Sequence, residues 1–74
     1  MCDICGWQRA LEDIESALED AEGIPDEGEE FANGVRENLE SIHAWVEEQN
    51  HVTPAQVVAI GNMSQGIGRW LERA

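Results

Sequence analysis

Residues 29–49, EEFANGVRENLESIHAWVEEQ, decide the fold. Phe31, Val35, Leu39, Ile42 and Val46 recur at spacings of four, four, three and four residues. That is the period of one helix face, with Trp45 beside the stripe. Asn33-Gly34 is a turn-like pair inside the pattern, so the regular helix is expected to begin nearer Val35. Asn50 and His51 end it, giving a predicted helix over about 29–50.

Upstream lies GIPDEG, residues 23–28. Gly23 suits the left-handed position that closes a helix, and Ile24, before proline, is pushed extended. Asp26 is expected to cap the following helix, with Glu29 three residues on completing a box-like pattern. Before this breaker, Trp7, Leu11, Ile14, Leu18 and Ala21 make a second apolar stripe, flanked by Ala10 and Ala17, and predict a helix over about 7–22. A connection this short makes the two helices antiparallel neighbours.

Downstream, Val52-Thr53-Pro54-Ala55-Gln56-Val57 is the sharpest local signal in the chain. Thr53 is an N-cap, Pro54 takes the first helical position, Gln56 closes the capping box, and Val52 with Val57 form a hydrophobic staple. The predicted third helix covers about 53–72. Its stripe reads Val57, Ile60, Ser64, Ile67 and Leu71, widened by Val58, Met63 and Trp70. Gly61, Ser64 and Gly68 form a strip of small residues. Packing within the chain is the first reading of that strip, and a dimer interface the second. Arg69 and Arg73 suit the C-terminal end of the helix dipole.

The expected architecture is therefore all-α: one domain over residues 1–74, folded as a three-helix antiparallel bundle or as a helical hairpin plus a helix, with homodimerisation as an option. A single core of this size supplies only about 3–5 kcal/mol, so a metal or a second copy is a natural supplement.

The chain carries 16 acidic residues against 4 arginines and no lysine, a net charge of −12. Residues 1–30 hold 11 of the acids and one arginine. Direct nucleic-acid binding is excluded by phosphate repulsion, and an anionic membrane surface is disfavoured for the same reason. No apolar run reaches the roughly 18 residues of a membrane helix, and the N-terminus lacks the charge and apolar core of a secretory signal. An intracellular location is expected.

On the first helix Glu12, Asp13, Glu15, Glu19 and Asp20, with Glu22 just beyond, leave almost no compensating cations. Like charges at i,i+4 cost a few tenths of a kcal/mol each. A face of this kind suits a basic partner, such as a protein that itself binds DNA or RNA, and rows of carboxylates at helical spacing imitate duplex phosphates. Acidity also simply keeps a small protein in solution, and that reading stays open beside the first.

Residues 2–7, CDICGW, hold Cys2 and Cys5 at the spacing of a zinc knuckle, with Gly6 supplying backbone freedom. One C-x-x-C is half a site. His43 and His51 are eight residues apart, about 12 Å along a helix, so both do not reach one ion. An antiparallel hairpin returns His51 toward the head, making Cys2, Cys5 and His51 the candidate zinc ligands, with Asp3 or a second chain completing the set. Reduced thiols at a terminus are the alternative. No hydrolase elbow, P-loop, dinucleotide fingerprint or zinc-protease motif is present, and the paired carboxylates are too numerous to single any out, so no enzymatic activity is expected.

The acidity, short length, C-D-I-C-G-W head and compact V-T-P-A-Q…G-I-G-R-W-L tail resemble the small accessory proteins of bacteriophages and prophages. Some of these, such as anti-CRISPR proteins, block host defence by binding a nuclease complex. The resemblance implies an inhibitor acting on a basic host complex in the host cytoplasm, by nucleic-acid mimicry. It assigns no residue a role. The alternative function is a zinc-stabilised structural or adaptor domain.

Overall fold

In a computed structural model that describes residues 6–73, the chain forms three α-helices: α1 (Trp7–Ala21), α2 (Glu29–Gln49) and α3 (Pro54–Arg73). A single 3-10 turn, Asp26–Gly28, precedes α2, and no strand occurs among the described residues. The fold class is all-α.

Each helix end has its own local cause. Gly6, with φ 71°, is the left-handed residue that opens α1, and its carbonyl accepts from the Ala10 N–H at 2.9 Å. This conformation favours glycine, which has no β-carbon to clash. Asn50, also left-handed at φ 52°, closes α2, and the His51 N–H reaches back to the Val46 carbonyl at 3.4 Å, as in a Schellman closure. At the start of α3 the Thr53 N–H donates to Gln56 Oε1 (2.9 Å) and the Gln56 N–H donates to Thr53 Oγ1 (3.2 Å). This is the reciprocal capping box its sequence predicts.

Several local expectations are corrected. The helix α2 starts at Glu29, so Asn33-Gly34 does not break it; both residues are exposed and interrupt no packing. Asp26 does not cap α2: it opens the 3-10 turn, and Gly28 stands at the cap with no side-chain bond. Gly23 is not left-handed, since Gly6 is the positive-φ glycine among the described residues. Its small size matters instead, because a β-carbon there would stand 3.0 Å from Leu71 Cδ2.

The core is made of Ile14, Leu39, Val46 and Ile67, all fully enclosed, with Ala10, Ala17, Ala21, Val35, Val52 and Ile60 around them. The buried line of α1 is Ala10, Ile14, Ala17 and Ala21, while Trp7, Leu11 and Leu18 are only partly covered. The small alanines let α1 lie against both other helices at once. In α3 the expected stripe is rotated. Ile60 and Ile67 are buried and Met63 packs on the core, but Val57 is 50% exposed and Leu71 37%. The staple is thus one-sided, with Val52 buried and Val57 largely in solvent.

The contacts fix which ends meet. Gly6, Ala10 and Ala17 line one groove with Val57, Ile60 and Ser64, so α1 and α3 begin together. Gly23 and Leu71 join their far ends. Phe31, early in α2, meets Trp70, late in α3, with ring centroids 6.4 Å apart. The Phe31 ring also covers Gly66, where a β-carbon would stand 2.7 Å from Cζ.

Candidate protein-interaction face

All six acids singled out on and after α1 are exposed: Glu12, Asp13, Glu15, Glu19, Asp20 and Glu22. They do not form one face. At 100° per residue, Glu12, Glu15, Glu19 and Glu22 follow one row, spaced three, four and three residues apart. Asp13 and Asp20, seven apart, follow another. Asp13 borders the groove of about 450 Å³ between α1 and α3, where Arg9 also lies. Arg9 thus tempers the aspartate row and leaves the glutamate row uncompensated by any cation of α1.

The glutamate row extends onto α2. The His43 imidazole sits with Nε2 4.0 Å from Glu15 of α1 and Nδ1 3.9 Å from Glu47 of its own helix. Both carboxylates are well exposed while the imidazole is about three-quarters covered. One side chain therefore spans the seam between two acidic helices, and it ion-pairs with both when protonated. Glu40 is exposed and shares its helix face with His43 and Glu47 by spacing. The result is a two-helix anionic surface. Reading α1 alone misses Glu40 and Glu47. The available signal was the i, i+3, i+7 run of Glu40, His43 and Glu47, which needed the packing of α2 on α1 to become a surface. His43 itself lies at the boundary between the two helices.

Of the candidate zinc ligands, Cys2 and Cys5 lie outside the described residues. His51 is partly buried just before α3, its ring 6.3 Å from that of Trp45. Among the described residues no group of three or more His, Cys, Asp or Glu is placed to hold a metal ion. No helix among them is long and apolar enough to cross a membrane.

In the strip of Gly61, Ser64 and Gly68, Gly61 and Ser64 line the groove between α1 and α3, but no close approach of a neighbouring helix rests on either glycine. A β-carbon at Gly61 or Gly68 would meet nothing within 4 Å, and Ser64 is exposed. The glycine that internal packing does require is Gly66, under Phe31.

No family model matches the chain, and no curated protein or solved structure is found to be similar to it.

Proposed function

We propose that this chain is a small protein-interaction module that inhibits or modulates a basic, nucleic-acid-binding host complex, in the manner of a phage-encoded anti-CRISPR protein. The observation that carries the reading is His43 seated between Glu15 and Glu47, which joins the acidic rows of α1 and α2 into one surface. Carboxylates fixed on two packed helices present charge in an ordered array, and ordered charge is what a groove shaped for duplex phosphates recognises. The net charge of −12 makes nucleic acid itself a poor ligand and speeds the approach of a cationic protein. The reading gives the chain no catalytic step and places it in the host cytoplasm.

The helix arrangement that goes with this function is an antiparallel three-helix bundle, α1 up, α2 down, α3 up. The end-to-end contacts Gly23–Leu71 and Phe31–Trp70 support it.

The test is capture from the native host with wild-type protein and with Glu12→Lys, Glu15→Lys and Glu19→Lys combined. Wild type is expected to retain a basic DNA- or RNA-handling complex and the triple variant to lose it, while circular dichroism stays helical. Equal capture by the two baits would sink the proposal.

A second reading, a zinc-stabilised structural or adaptor domain using Cys2, Cys5 and His51, draws on one observation. Gly6, which follows the cysteine pair, lies in the groove beside Val57, and His51 lies just before the same end of α3. Untagged protein is then expected to carry about one zinc per ligand set, and a chelator to lower its thermal midpoint. A zinc content below a few tenths of an equivalent removes this reading.

A further inference from the structure

Asn33-Gly34 has no part in the core or in the anionic surface. Both residues are exposed, and a β-carbon at Gly34 would meet nothing within 4 Å. The chain has four asparagines, at 33, 38, 50 and 62. Asn38, Asn50 and Asn62 precede Leu39, His51 and Met63, and Asn33 alone precedes a glycine. Glycine carries no β-carbon, so nothing shields its backbone nitrogen from the carboxamide of the residue before it.

We propose that Asn33 is a site of spontaneous deamidation whose rate is governed by the packing of Phe31 on α3. In the reaction the Gly34 nitrogen attacks Asn33 Cγ and gives its proton to water. The bond from Cγ to the side-chain nitrogen breaks, and that nitrogen takes up a proton and leaves as ammonia. A five-membered cyclic imide remains, and water opens it at either carbonyl. The product is aspartate or isoaspartate at position 33. Nothing is oxidised or reduced: ammonia is lost and water is gained.

The native helix opposes the first step. In α2 the Gly34 N–H belongs to the i→i−4 ladder, and the imide closes only when ψ of Asn33 leaves its helical value. The reaction therefore runs from an opened state of the first turns of α2. Local chemistry holds those turns weakly. Gly28 caps them with no side-chain bond, a single 3-10 turn precedes them, and Gly34 lowers helix propensity. The hold is tertiary. Phe31, two residues before Asn33, lies over Gly66 with its ring centroid 6.4 Å from that of Trp70. Ala32 and Val35 are buried on either side of the pair. How often these contacts open sets how often the imide can form.

Aspartate at position 33 adds one negative charge to the net −12. Isoaspartate puts an extra carbon into the backbone and interrupts the ladder next to Phe31. The inference does not depend on the identity of the basic partner.

Peptide mapping by mass spectrometry, on the full chain incubated at mildly alkaline pH with and without urea, tests it. In urea, position 33 is expected to convert before Asn38, Asn50 and Asn62. In the folded chain its conversion is expected to be slower roughly tenfold or more, because the open state is a minor one. Phe31→Ala removes the clasp and is expected to raise the folded-state rate roughly threefold or more. Gly66→Ala acts on the same contact from α3, by setting a β-carbon 2.7 Å from Phe31 Cζ. It supplies the reading if circular dichroism shows Phe31→Ala unfolded. A position 33 that stays unconverted in urea, or converts after another asparagine, overturns the proposal. So does a folded chain that reacts as fast as the unfolded one, or a folded variant that reacts no faster than wild type.

Discussion

A β-carbon at Gly28 would stand 2.6 Å from Ile24 Cγ2 and 3.0 Å from Trp70 Cδ2, whereas one at Gly61 would meet nothing within 4 Å. The same substitution should therefore act in opposite directions. Gly28→Ala is expected to destabilise by about 1–3 kcal/mol, through overpacking against the indole and a poorer helix cap. Gly61→Ala removes a flexible residue from the interior of α3 and should stabilise the monomer by up to about 1 kcal/mol. Urea unfolding of the two variants at one dilute concentration checks both signs. The sequence marks each residue as glycine and each as costly to a helix. Only the neighbours, Ile24 and Trp70 in one case and solvent in the other, say which cost is offset. His43 gives the same lesson in charge. Its placement against Glu15, 28 residues upstream, depends on how α1 packs on α2, and no local pattern reports it.

At the scale of the element, α3 was the most legible helix at its start and the least legible along its length. Thr53, Pro54 and Gln56 act within one turn, so the capping box forms from local chemistry alone, as its two hydrogen bonds show. Thr53→Ala should cost about 0.5–2 kcal/mol, read as a lower urea midpoint with an unchanged slope. The apolar face of the same helix was misplaced by part of a turn. Val57, Ile60, Ser64, Ile67 and Leu71 fit the period as well as the true line through Ile60, Met63 and Ile67, and α3 has no charged residue before Arg69 to mark the solvent side. Glutamates supplied that mark on α1 and α2, and there the buried faces were read closely. Even so, α1 buries its alanines more deeply than its leucines, because two neighbours press on it from different sides.

For the whole molecule the governing quantity is net charge. Reversing Glu12, Glu15 and Glu19 moves it from −12 to −6, since each change adds two positive units to the starting value. That relieves self-repulsion, so the triple variant, proposed to lose a basic partner, should melt no lower than wild type at low ionic strength. Loss of binding together with a preserved or raised thermal midpoint would separate a recognition defect from a folding defect. The anionic seam on α1 and α2 and the charge-free stretch of α3 before Arg69 also give the molecule two chemically distinct sides.

The sequence by itself determined the helix count, the approximate helix ends, the capping of α3 and the acidity of α1. Each of these follows from interactions spanning one or two turns, or from composition, and needs no knowledge of distant neighbours. Tertiary structure decided which face of α3 is buried, which glycines are packed, and that Glu47 belongs with Glu15 to one anionic surface. These depend on how close two helices come and how each is rotated. Apolar burial sets both through the shape of the whole core, so no single stretch of chain encodes them.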